Sequence, residues 1–315
     1  MNFWYRLKKI TLPTPVLILL GISGSFFLFA WLNFNLHENV NSVVETTIRD
    51  IDWHQAVNAT ILKSLNGKDI LKYFLWANHS SCLLVHDFGG KMKKNPSGLD
   101  GQKSVCLDPT VAPRPPRCLI YSFGINNEWS FDEVMEQYGC KIFSFDPSMN
   151  LEDHDHAPNI HFFNLALDSR DIGNKNRTLA TIYNKVLKAW HGEQTIDYLK
   201  MDVEFAEWHI LTQIVESGMM DKVRQLAVEF HFSPDDSIEL LRERVGILKF
   251  LEQYGLVRFS SRYNPWFYGP CFQQDDKLVS CGFEIAWYNS KLRRRWNPDR
   301  NAIDWTLHQW KAPPT

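Results

Sequence analysis

The sequence predicts an α/β domain built on a doubly wound, mostly parallel sheet whose last strand returns antiparallel, preceded by a membrane-spanning segment and a helical stem. Three observations carry this reading. From residue 118 onward, short apolar runs alternate with longer amphipathic stretches, the rhythm of parallel strands joined by crossover helices. Residues 10–35 contain no charged side chain at all. Across the 315 residues, 44% hydrophobic and 22% charged residues with 12 Trp are the values of a globular chain with a sizeable core. A net charge of -2 lacks the basic footprint of a general nucleic-acid binder, so DNA and RNA are excluded as expected partners.

Taken from the start, residues 16–34 read VLILLGISGSFFLFAWLNF, long enough at about 1.5 Å per residue to cross a hydrocarbon core of about 30 Å. Arg6, Lys8 and Lys9 precede the apolar run, and Glu38, Glu45 and Asp50 follow it. The cation excess keeps the N-terminus in the cytosol and sends the remainder across. The expected organisation is a cytosolic tail (1–9), a transmembrane signal anchor (10–35), a stem (36–80) and a lumenal domain (81–315), a type II single-pass protein facing the Golgi or ER lumen. A cleaved signal peptide, giving a secreted form, is the alternative, but its apolar region would run only about 7 to 15 residues. All six cysteines and the sequons at Asn58, Asn78 and Asn176 lie beyond the span, as an oxidising, glycosylating lumen requires. In the stem, Val40, Val44, Ile48, Ile51, Val57, Ile61, Leu65 and Phe74 recur at mostly helical spacing.

Residues 89–116 read as loop because Gly and Pro cluster there. The expected strands are 119–123, 141–145, 160–165, 196–201, 226–232 and 256–259, with helices in the intervals. The run 283–288 is separated from its predecessor by a loop alone, so it returns antiparallel. Six cysteines admit 15 pairings. Cys271 with Cys281 flanks the turn before the last strand, and Cys118 with Cys140 begins two neighbouring strands; these are the expected bridges.

The chemistry gathers at strand ends. Ser122-Phe123-Gly124-Ile125-Asn126 turns from the first strand toward a helix that the S-x-x-E box of Ser130 and Glu133 should cap. A strand, a glycine turn and a helix N-terminus present backbone N–H groups to a polar ligand. Asp146-Pro147 closes the second strand 22 residues after Gly124, the spacing at which an acidic side chain meets ribose hydroxyls in dinucleotide-binding folds. Its alternative role is to cap a local turn. The string LKMDVEFAEW delivers Asp202 and Glu204 at the end of the 196–201 strand, with Glu207 in the first turn of the next helix. Alternation along 226–232 puts Glu229 and His231 on the face opposite Phe230 and Phe232. His231 is either a general base or a structural histidine.

The order SFGINNEWSF, FDPS, LKMDVEFAEW and VEFHF resembles the class I S-adenosylmethionine-dependent methyltransferases, within them the FkbM-like branch that contains the animal methyltransferase-like 24 group. The likeness runs from about Cys82 to Tyr288 and includes Gly89-Gly90, Asp100-Gly101 and Val105-Cys106-Leu107-Asp108. It implies a Rossmann-like seven-stranded sheet with an antiparallel last strand, S-adenosyl-L-methionine as cofactor, and a cofactor site of Ser122, Phe123, Gly124, Ile125, Asn126, Asp146, Pro147 and Asp202. Gly124 would serve the methionine side and Asp146 the ribose. The expected activity is O-methylation of a lumenal glycan, small molecule or protein, with Asp202, Glu204 and His231 as candidate bases and no metal. Phe205 departs from the pattern, standing where FkbM-type sequences carry glycine. Two rivals share the topology: a catalytically inactive lumenal binding module, and a type II Golgi glycosyltransferase with Asp153-His154-Asp155 as its D-x-D. In that reading His154 and His156 would be metal ligands rather than a solvated turn.

Overall fold

The computed structural model describes residues 60–94, 97–273 and 278–295. The expected cytosolic tail, membrane span and most of the stem lie outside the described residues, among which no helix is long and apolar enough to cross a membrane. By its internal contacts the chain divides after Ile51, and everything below belongs to the second unit.

The helix α1 (Gly67–Leu75) is the first surprise. Its N-cap Asn66 accepts from Asp69 N at 3.0 Å, and Asp69 reaches back to Asn66 N. The helical spacing read in the stem is correct here, but the apolar face is covered by the domain itself. Phe74 is 0% exposed and meets Trp208, Phe230, Phe232, Phe272 and Phe283 edge-on or tilted. The folded unit therefore starts before Ser81.

The expected loop at 89–116 holds strands: Lys91–Lys94 pairs with Ser97–Asp100, and β2 (Lys103–Cys106) pairs with β1 (Val85–Phe88), which precedes the loop. The central sheet is then built from β3 (Leu119–Phe123), β4 (Lys141–Phe145), β5 (His154–Ala157), β6 (Ile160–Phe163), β7 (Tyr198–Met201), β8 (Gln225–His231), β9 (Leu256–Tyr263) and β10 (Gly282–Asn289). Its order is β9-β10-β8-β7-β3-β4-β6-β5. β6, β4, β3, β7 and β8 are parallel, and β10 runs antiparallel between β8 and β9 as expected. The sheet has eight strands rather than seven, because His154–Ala157, read as a polar loop, adds an antiparallel edge to β6. Its pattern of exposed polar residues is what an edge strand tolerates, and apolar periodicity cannot find it.

Three helices complete the frame: α2 (Ser130–Tyr138), α3 (Glu207–Glu216) and α4 (Ile238–Tyr254). α4 is capped by Ser237, whose side chain accepts from Leu240 N. α2 has the expected bounds but not the expected cap. Its N-cap is Trp129, and Ser130 Oγ instead accepts from Gly90 N at 2.5 Å, tying the hairpin to the helix start. Cys118–Cys140 and Cys271–Cys281 are joined as expected, with Cα atoms 4.7 and 5.7 Å apart, and Cys82–Cys106 makes the third bridge.

Candidate functional site

The strand order lines up one row of carboxyl ends: Asn164 after β6, Asp146 after β4, Gly124 after β3, Asp202 after β7 and His231 on β8. This is the crevice where open α/β sheets take ligands. Gly124 adopts φ +76, and a Cβ there would lie 1.7 Å from Asp202 O, so only glycine lets these two strand ends meet. The buried Lys200 donates to Gly124 O at 2.5 Å and to Phe123 O at 3.3 Å, pinning the turn from below.

Asp146 does not stand ready for a ribose. It is 4% exposed; Oδ2 accepts from Ile125 N at 2.9 Å and Asn126 N at 2.7 Å, while Oδ1 accepts from Ser148 N and Ser148 Oγ. Those bonds use the roughly four lone-pair sites of a carboxylate. Burial alone would raise its pKa, but the Ser148 and loop N–H donors outweigh that and hold it below the usual range. The residue shapes the glycine loop, and a ribose diol would have to displace one of these donors. Ser122, Phe123 and Ile125 are likewise buried, so they can offer a ligand backbone only, whereas Gly124, Asn126 and Pro147 remain accessible.

One further group in this row would suit an adenosyl cofactor. Asn164 Oδ1 is buried with no hydrogen-bond partner, an acceptor suited to a purine amino group. It sits beyond the stacked rings of Phe145 and Phe163 in the same row as Asp146 and Gly124. Asn164 and Gly124 would then hold the base and methionine ends, with Asp146 shaping the loop between them rather than meeting the ribose.

Beyond Gly124 lies a charged cluster. Asp202, Glu229 and His231 each bring one ligand-type atom within 4.8 Å of the others, an arrangement with metal-binding capacity. Its positive charge is already supplied by Lys103, 0% exposed, which reaches in from β2 to Glu229 Oε2 at 3.0 Å, to Glu284 and to Asp202 Oδ2 at 3.8 Å. Burial would lower the Lys103 pKa, but these three carboxylates raise it instead. Burial pushes Asp202 up to about 6 against the pull of Lys103. His231 Nδ1 bonds Glu207 Oε1 at 2.7 Å, while Nε2 faces Glu204 Oε2 at 3.6 Å and Glu229 Oε1 at 3.7 Å, both beyond hydrogen-bond length. Burial would lower the imidazole pKa, yet the Glu207 bond and the surrounding carboxylates raise it to about 9.

Thus Asp202, Glu204 and His231 converge, as the sequence suggests. Lys103, Glu207, Glu284, Lys200 and Asn164 are not among the expected site residues, and only the polar i, i+2 register of Glu229 with His231 points to a second layer. The D-x-D reading fails on geometry: Asp153 accepts from Asn164 N at 2.7 Å and Asp155 pairs with His161 at 2.5 Å, so the two carboxylates serve different partners.

A sequence profile described as a methyltransferase domain matches residues 78–274. Probable methyltransferase-like protein 24 of Homo sapiens is 28% identical over 213 residues, and that of Rattus norvegicus 29% over 212. Each alignment covers 60% of this chain and 56% of the relative, so the chain matches little more than half the length of these proteins. Among solved structures, an uncharacterized protein of Listeria monocytogenes superposes with a TM-score of 0.33 at 12% identity, covering 61% of this chain and 70% of its own. The fibrillarin pre-rRNA processing protein of Methanococcus jannaschii does so with 0.30 at 10%, covering 57% and 69%.

Proposed function

We propose, on the premise that this chain belongs to the family of methyltransferase domains, that it transfers a methyl group from S-adenosyl-L-methionine to a hydroxyl of a lumenal or extracellular acceptor. The observation that carries the reading is the meeting of Gly124 and Asp202, which sets a cofactor loop against a titratable carboxylate at one crevice.

The cofactor, when bound, supplies an electrophilic methyl on a sulfonium, and displacement at that carbon depends largely on alignment. The chain's own residues supply the rest. Lys200 and Asp146 fix the loop from its carbonyl and amide sides. Asp202, with a pKa near 6, is ionised at neutral pH and matched to accept the hydroxyl proton. His231, near 9, is protonated there, so it serves as a donor that orients the acceptor oxygen rather than as the base. Glu204, its side chain 74% exposed, stands at the rim. The three disulfides support work in an oxidising compartment, in keeping with a type II, Golgi- or ER-facing protein.

Calorimetry of the full chain with S-adenosylmethionine tests the cofactor, and labelled-methyl transfer to lumenal glycan and small-molecule fractions tests the reaction. Saturable binding is expected, with transfer that Asp202→Asn slows by about 10² to 10⁴. The absence of any binding heat would favour an inactive binding module.

A further inference from the structure

Glu204 and Phe205 are consecutive non-glycine residues in the left-handed region, at φ 46° and 70°. Such a conformation costs of the order of 1 kcal/mol per residue and persists where surrounding structure enforces it. Here Glu207 Oε1 accepts from Phe205 N at 3.2 Å and holds the turn. The turn does not serve the core: the Phe205 side chain is 45% exposed. Its ring lies 5.5 Å from the His231 ring and 6.1 Å from Phe267, and Phe267 lies 5.6 Å from His231. Two phenyl rings thus flank the imidazole, with Glu204 beside its Nε2. A glycine would satisfy this backbone without strain, so the phenyl ring is what the strained turn presents.

We propose that Phe205 and Phe267 form the stacking wall of the methyl-acceptor site, and that the acceptor is a pyranose ring with its C–H face on the phenyl rings and its hydroxyl edge on Glu204 and His231. This rests on the methyltransferase reading for the word acceptor, and deepens it. The chemistry favours a polyol over a lone phenol. Glu204 and Asp202 offer carboxylate acceptors beside the His231 donor, while Glu229 is taken by Lys103 and Asn264, and a sugar's vicinal hydroxyls can answer more of these groups than a single phenolic group. Aromatic faces suit the apolar side of such a ring.

The test separates stability from binding. Full chain in a detergent without a sugar headgroup is probed by saturation-transfer NMR with the methyl glycosides of glucose, galactose, mannose and N-acetylglucosamine, and with p-cresol. Wild type should saturate the C–H protons of at least one glycoside. Phe205→Gly, and Phe205→Asn as the other residue type at home in this conformation, should weaken that binding about tenfold. Neither should lower Tm or the affinity for S-adenosylmethionine. Glycoside binding that survives both substitutions, failure of wild type to bind any glycoside, or preference for p-cresol overturns the proposal. The probes bind without turnover, so a missing cofactor response would count against the methyltransferase reading alone.

Discussion

Replacing Lys103 by Met tests the buried charge cluster most directly. The side chain is 0% exposed, and its ammonium is the cation that Glu229, Glu284 and Asp202 all face. Met matches the length of the stem but strands the ionised Glu229 and Asp202. Removing one partner of a buried ionic network costs about 3 to 5 kcal/mol, since the remaining charges keep their desolvation penalty without compensation. At about 2 to 4 °C per kcal/mol for a domain of this size, Tm should fall by about 6 to 20 °C at neutral pH. The loss should depend on pH. Burial already pushes Glu284 up to about 8 beside Lys103, and without the ammonium the Glu229 carboxyl, now held low, should rise above its unfolded value as well. A group of that kind contributes stability below its unfolded pKa and loses it as pH rises through the folded one, so the deficit should narrow on acidification. Removing one stranded charge in Lys103→Met/Glu229→Gln should recover part of the loss. Calorimetric melting across pH 5 to 8 measures all of this. A Tm change in Lys103→Met that is small and independent of pH would refute the argument.

Three further outcomes follow from the site. Methyl transfer should rise with pH through about 6 as Asp202 ionises and decline toward 9 as His231 loses its proton, and Asp202→Asn should abolish the acidic limb while cutting the rate by about 10² to 10⁴. Asp146→Ala frees Ile125 N and Asn126 N, each bond being worth about 1.5 to 3 kcal/mol to a charged acceptor, so calorimetry should show S-adenosylmethionine affinity reduced at least tenfold with little change in acceptor KM. Asn78 is exposed in the turn after α1, whereas the Asn176 amide donates to Asp168 Oδ2 at 2.6 Å; Asn78→Gln should remove a glycan detectable by mobility shift, and Asn176→Gln should not.

What the sequence discloses about this fold is decided by the kind of signal each element carries. β3 and β4 have the expected bounds because LIYSF and KIFSF are short apolar runs edged by turns. Cys118 and Cys140 pair because adjacent parallel strands must start side by side. Lys103 is invisible for the opposite reason: a lysine between Gly-Gln and Ser-Val carries no hint that a hairpin will carry it to the centre of the sheet. Asp146 lies at the expected position and differs in what it touches, because spacing specifies a place along the chain and not which donors reach it first. The S-x-x-E motif makes Ser130 a helix cap, yet its hydroxyl accepts from Gly90 N, forty residues away, a tertiary bond overriding a local motif.

Phe74 has a consequence for how the domain can be released. A protease cutting anywhere upstream of Asn66 would leave α1 in place and the packing around Trp208 and Phe230 undisturbed. A cut within α1 would withdraw the Phe74 ring and open an apolar hole against the sheet, at a cost of about 3 to 5 kcal/mol. Shed material that remains folded should therefore begin ahead of this helix, and the N-terminal sequence of any secreted form becomes a direct readout of where the core ends.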